Sequence, residues 1–281
     1  MERASARLTR RSGTSFYYAF RILPQAKRRA IYALYSFCRE VDDCVDEEGG
    51  GGEAALQRWL EEVGRCFGGT PTTDLGRDLA WALSRFPIPR RCLEDIVEGC
   101  RMDLERTRYA SFADLRLYCR HVASAVGLAS IEIFGYENPG TRAYAEELGL
   151  SLQLTNILRD VGVDAERGRI YVPLEDLVRF GVADLELLAA ARGAAPPPAG
   201  LGRLLAFEAE RARGHYARAR ELLPAEDRRS MLSAEVMGAV YRDLLEKVSR
   251  QGFPLRERVA LTRPRKAWIA ARTVARVMFA P

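Results

Sequence analysis

The stretch Ala30-Ile-Tyr-Ala-Leu34-Tyr35-Ser-Phe37-Cys-Arg39-Glu-Val41-Asp42-Asp43-Cys44-Val-Asp46 decides the fold. Ala30, Leu34, Phe37, Val41 and Cys44 return every three or four positions, the period of an α-helix with one face in a core. At 100° per residue, Tyr35, Arg39, Asp42 and Asp46 share an arc of roughly 60° beside that apolar stripe. Two carboxylates one turn apart therefore look into the same space. Taken alone, such a D-x-x-x-D is better explained by a solvated acidic helix end.

The same period recurs to Phe279, and strand patterns are nearly absent. Breaks at Gly49–Gly52, Gly68–Thr73, Phe86–Pro89, Gly135–Gly140, Gly162–Pro173 and Gly193–Gly200 leave segments of helix length. The expected fold class is all-α. With 281 residues and 48% apolar composition the chain can bury a substantial core. We read residues 1–281 as one domain with 1–11 flexible, and the proline-rich Ala194–Gly200 as a loop inside it. The six cysteines are scattered without a C-x-x-C pair, which indicates neither a zinc site nor a disulfide frame. No apolar run reaches bilayer length and the start lacks a secretory signal, so a cytoplasmic location is expected. The net charge of +5 is dispersed and no nucleic-acid-reading module is present, so no nucleic-acid partner is expected.

A second segment, Gln153-Leu-Thr-Asn156-Ile-Leu-Arg159-Asp160-Val-Gly-Val-Asp164, repeats the acidic arrangement. If the helix continues to Asp164, then Gln153, Asn156, Asp160 and Asp164 lie within about 80° of arc. Gly162 offers the alternative of a helix stop, with Asp164 reaching inward from a loop. The flanking Leu150, Leu154, Ile157 and Leu158 place these groups near a core, where an uncompensated carboxylate costs several kcal/mol, about 5 per ion. Two oxygen-only clusters suit Mg²⁺ shared with substrate phosphate oxygens. A di-iron bundle is excluded, because neither His121 nor His215 follows a Glu by three residues. No P-loop or G-x-G-x-x-G cradle is present.

These two segments, together with Ser15-Phe-Tyr-Tyr-Ala-Phe-Arg-Ile-Leu-Pro24 and Tyr118-Cys-Arg-His-Val-Ala-Ser-Ala-Val-Gly127, resemble the squalene/phytoene synthase family of head-to-head prenyl transferases. The resemblance runs from about Ser12 to Ala271. The opening S-F-Y-Y-A-F, the stretch Asp103–Tyr109 and the ending Val259–Trp268 look most like the bacterial presqualene diphosphate synthases of hopanoid biosynthesis.

The resemblance implies an isoprenoid-synthase (terpenoid synthase) helical bundle around a central cavity. It implies Mg²⁺-dependent condensation of two molecules of farnesyl diphosphate to presqualene diphosphate, with release of diphosphate. Asp42, Asp43 and Asp46 match the first acidic motif, and Asn156, Asp160 and Asp164 the second, as metal ligands. Arg39, Arg159, Arg258 and Lys266 are the expected diphosphate clamps, since Arg forks pair phosphate oxygens and Lys adds a mobile point charge. Tyr35, Tyr118 and Tyr241 match cavity-lining tyrosines, Gln153 accompanies the second motif, and Ser15 and Phe16 match a segment over the diphosphate end. Catalysis is expected from Asp42, Asp46, Asp160, Asp164, Tyr118 and Arg39. For the apolar tails, Tyr118, Val122, Ala125 and Ala129 share one helix face that is either a slot or a close helix contact.

Several readings stay open at this point: phytoene synthase acting on geranylgeranyl diphosphate, a full squalene or dehydrosqualene synthase, and a non-enzymatic assembly factor. No residue set compels a nicotinamide site, so NADPH is not expected. The tail Arg265–Phe279 puts Arg265, Arg272 and Arg276 on one stripe, a basic amphipathic pattern compatible with peripheral contact at the inner membrane face or with closing the core. Oligomeric state is not encoded in any of these motifs.

Overall fold

The computed structural model describes residues 16–46 and 51–279. Its helices are α1 (Phe16–Arg21), α2 (Gln25–Asp46), α3 (Gly52–Phe67), α4 (Asp74–Leu83), α5 (Arg90–Glu105), α6 (Phe112–Cys119) and α7 (Ala125–Phe134). They continue with α8 (Thr141–Glu166), α9 (Leu174–Arg179), α10 (Asp184–Ala191), α11 (Leu201–Leu222), α12 (Leu232–Arg250) and α13 (Arg263–Phe279). A π-helical turn, Arg120–Ser124, joins α6 to α7. Among the described residues there is no strand, and one parallel bridge pairs Arg108 with Ile170. The all-α reading holds.

Local chemistry ends and starts the helices where the sequence punctuates them. Thr73 caps α4 by accepting from the Gly76 amide at 2.8 Å. Ser111 and Asp114 form a capping box on α6. The turn before α4 is held by buried Glu62, which accepts from the Thr72 and Thr73 amides at 2.8 Å each. Burial opposes ionisation of Glu62, but these bonds and Arg65 bring it down to about 2.

The 26-residue α8 is the central element. It packs along α11 and against the π turn, α7 and α12. Its Leu150, Leu154, Ile157 and Leu158 are buried, as are Leu34, Phe37, Val41 and Cys44 of α2, all within one apolar cluster reaching from Ala19 to Ile269.

Two alternatives that the sequence leaves open are decided here. Gly162 does not end its helix, and Asp164 is helical. A Cβ at Gly162 would lie 1.7 Å from the Leu255 carbonyl oxygen, so the glycine admits the backbone of the 251–262 loop and serves no chain reversal. Nor do Ala125 and Ala129 open a slot, since both are fully buried in packing. The π turn shifts the register after Tyr118 and Val122, and Gly127 lets the α8 backbone approach, a Cβ there meeting the Ala145 oxygen at 2.7 Å. The choice between slot and close contact falls to close contact.

Candidate active site

α2, α5, α6 with its π turn, α8, α12 and the loop before α13 surround a cavity of about 520 Å³. Its wall includes Tyr35, Arg39 and Asp42 from α2, and Gln153, Asn156, Arg159, Asp160 and Asp164 from α8. Tyr118, Val122, Tyr241, Arg258 and Lys266 also line it. The two acidic arcs therefore do face one space. Asp43 is not on the wall; it lies against Arg39, whose Nη2 is 2.7 Å from Asp43 Oδ1. Ser15 and the side chains of Phe16 and Asp46 lie outside the described residues.

The continuation of α8 past Gly162 is what puts Asp164 on the same face as Asp160. Arg159, about 60° off the ideal arc, still reaches the cavity because its guanidinium folds back onto Asp160, Nε donating to Oδ1 at 2.8 Å. Arg258 Nε donates to the same carboxylate oxygen at 3.0 Å. Burial opposes ionisation of Asp160, and these two guanidiniums outweigh it, holding the carboxyl below its usual range. Burial, reinforced by Arg159 and Arg263, lowers the Lys266 ammonium from its ordinary value. Arg39 Nη1 contacts Asp42 Oδ2 at 3.4 Å. Among the described residues, no three His, Cys, Asp or Glu side chains converge closely enough to hold an ion. Asp42, Asp43 and Asp160 are compensated by arginines instead.

Donor chemistry nonetheless fits a hard divalent cation. The acids and amides of the two arcs offer oxygen donors, and Asn156 Oδ1 is buried with no hydrogen-bond partner while its amide nitrogen donates to Gln153 Oε1 at 3.2 Å. That orphaned oxygen sits one turn before Asp160, where a cation would satisfy it.

Sequence reasoning missed a second constellation on the wall. Asp103 of α5 accepts from the Tyr118 hydroxyl at 2.9 Å and from the Tyr171 hydroxyl at 2.6 Å. Tyr118 and Tyr171 stack with centroids 5.2 Å apart, and Tyr109 packs within 5.9 Å of both. Burial, then Asp103, raises Tyr118 well above its ordinary value, so its phenol stays protonated. Ile96, Cys100 and Asp103 share one face of α5, and that i, i+4, i+7 spacing was the available signal. Arg169 and Tyr171 arrive from the loop after α8, which the Ile170 amide fastens by donating to Thr107 O at 2.9 Å.

A helical bundle whose cavity sets acids and amides among Arg39, Arg159, Arg258 and Lys266, with Ile96, Val122 and Leu244 also on the wall, has the charge to hold an anion beside apolar surface. The comparisons agree. The squalene/phytoene synthase family model matches residues 9–265. A phytoene synthase of Mycobacterium tuberculosis is 36% identical over 280 residues, covering 97% of this chain and 90% of its own. A presqualene diphosphate synthase of Rhodopseudomonas palustris is 37% identical over 244 residues, covering 86% and 85%. The crystal structure of a dehydrosqualene synthase in complex with ligand superposes with a TM-score of 0.87 at 29% identity, covering 97% and 94%. The chain belongs to the squalene/phytoene synthase family and is a prenyltransferase of that type.

Proposed function

We propose that this chain condenses two molecules of farnesyl diphosphate head to head into presqualene diphosphate, releasing diphosphate, with Mg²⁺ and without NADPH. The observation that carries the reading is the shared cavity: Asp42 on α2 and Asp160 and Asp164 on α8 line one space with five cationic side chains. The farnesyl assignment is supported by the motifs Ser15–Phe20, Asp103–Tyr109 and Val259–Trp268. A single domain over residues 1–281 accords with the one buried cluster from Ala19 to Ile269.

In this reading Asp42, Asp46, Asn156, Asp160 and Asp164 would hold the cation, which when bound offsets the negative charge of the departing diphosphate, while Asp43, off the wall, holds Arg39 beside them. Arg39, Arg258 and Lys266 grip phosphate oxygens, and Arg258, with its side chain 65% exposed, is free to turn from Asp160 to the substrate. The C1–O bond of one substrate breaks, its electron pair leaving on diphosphate, and the double bond of the second attacks the allyl cation. Loss of one proton closes the cyclopropane. Tyr118 and Tyr171, held by Asp103, present ring faces and hydroxyl oxygens to developing positive charge.

A second reading, phytoene synthase on geranylgeranyl diphosphate, is favoured by the longer coverage of the phytoene synthase relative, 97% of the chain against 86%. Incubation of purified protein with each diphosphate and Mg²⁺, with and without NADPH, followed by mass spectrometry, separates them. We expect presqualene diphosphate from farnesyl diphosphate irrespective of NADPH. Phytoene as the main product would establish the second reading, and squalene formed only with NADPH would refute the restricted one.

A further inference from the structure

Helix α13 turns two different faces outward and inward. Ile269 and Thr273 are buried against the bundle. Ala267, Trp268, Ala271, Ala275, Met278 and Phe279 are all exposed, and at 100° per residue they share an outward arc of about 120° that contains no charge. Trp268 is 50% and Phe279 84% exposed, so the arc is apolar surface in water along about 18 Å of helix.

Arg265, Arg272 and Arg276 lie on one stripe, as their spacing suggests, and that stripe flanks the outer arc. Arg265 donates to Asp243 at 3.0 Å and Arg276 to Glu235 at 3.1 Å, on the side toward α12. Arg265 and Arg272 lie over the Trp268 ring, 4.9 and 5.3 Å from its centroid. Beside them runs a groove of about 260 Å³ that includes Arg242 and Arg272. It meets, at Arg276, a depression of about 450 Å³ bordered by Arg220, Arg228 and Arg229. Among the described residues none of Arg220, Arg228, Arg229, Arg242 and Arg272 has a carboxylate partner, whereas Asp243, Glu235 and Glu246 are each engaged by an arginine.

We propose that the outer face of α13 and its arginine flank are a docking surface for an anionic lipid bilayer. An uncharged arc with a Trp at its edge and guanidiniums beside it is the pattern of a helix lying in the headgroup plane, apolar side chains entering and arginines reaching phosphates. No helix among the described residues could cross the bilayer, so the contact is lateral. A second copy of the chain fits less well, because a two-fold contact through this face would set the uncompensated arginines against each other. The location has a use that rests on the prenyl reading: Leu261 and Lys266, at the inner end of the same segment, line the cavity, which places apolar substrate tails near their reservoir. The binding itself does not depend on that reading.

The test is co-sedimentation of the full chain with vesicles of phosphatidylcholine alone or mixed equally with phosphatidylglycerol. We expect at least about tenfold stronger partition onto the anionic vesicles, screened at about 1 M salt, with a blue shift of tryptophan emission that Trp268→Phe removes. The doubly substituted Ala271→Glu, Ala275→Glu chain should keep its melting temperature and lose at least about tenfold of the binding, and Arg272→Glu should lose binding on anionic vesicles. Absence of binding to anionic vesicles, or equal binding by the double-Glu chain, would overturn the proposal. Capture of an acidic protein without vesicle binding would assign the face to a protein and overturn it too. Because partition is read without turnover, a failed prenyl assay and a failed docking surface are separable.

Discussion

Replacing Gly162 by Ala sets helix propensity against packing, and the structure fixes which should win. In an exposed helix interior Gly→Ala is favourable by about 1 kcal/mol. Here the added Cβ would sit 1.7 Å from the Leu255 oxygen and 2.5 Å from its carbonyl carbon. Real Cβ atoms essentially never come within 3.0 Å of a neighbour, so the 251–262 loop must retreat by at least about 1.3 Å. Overpacking of this kind costs about 1–3 kcal/mol, and backbone oxygens yield less readily than side-chain ends. We expect a net loss of about 1–2 kcal/mol, a fall in melting temperature of roughly 3–6 °C. The same loop carries Arg258, Val259, Ala260 and Leu261 on the cavity wall, so turnover should drop by about 10- to 100-fold through misplacement of Arg258. Gly214→Ala is the control: exposed on α11 with nothing within 4 Å of a Cβ, it should raise stability by about 0.5–1 kcal/mol. Differential scanning calorimetry and diphosphate release measured on both variants decide the matter. A Gly162→Ala enzyme that melts no lower than the parent and turns over normally would refute the close-approach argument.

Asp160→Asn should lower kcat by at least about 100-fold while circular dichroism stays helical, since Arg159 keeps Tyr241 as a partner; an unfolded variant would make the carboxylate structural. Asp103→Asn supplies one good acceptor to two phenols, so kcat should fall about tenfold or more with little change in KM, and the loss should be non-additive with Tyr118→Phe in a double-mutant cycle. Burial pushes Glu208 up to about 7, against Arg211 and with help from Asp176, because two buried carboxylates share one guanidinium. A carboxyl raised in the folded state contributes stability that is full below about 4.5 and is lost as pH rises through about 7. The melting temperature should therefore decline from pH 5 to 8, and Glu208→Gln should flatten that slope.

What the sequence revealed, and what it concealed, follows the range of the interactions involved. The two acidic arcs were legible because each lies within one helix, where 100° per residue converts spacing directly into direction. Helix boundaries at Gly68–Thr73, Phe86–Pro89 and Gly135–Gly140 were legible for the same local reason. Gly162 was ambiguous because a glycine required by a neighbour's backbone looks, in one dimension, like a glycine required by a turn. The choice between slot and close contact at Ala125 and Ala129 was not legible because a π turn breaks the periodicity on which face assignments depend. The pairing of Asp103 with Tyr171 escaped notice since their meeting depends on a bridge between the 107–110 and 170–175 segments, which neither spacing nor composition records.

The pairing of Asp160 with Arg159 and Arg258, and of Asp42 and Asp43 with Arg39, means that the acidic arcs carry their own counter-ions. The bundle can therefore assemble before any metal arrives, unlike small domains whose fold collapses on chelation. Stripping divalent ions should silence the protein reversibly while leaving its scaffold standing.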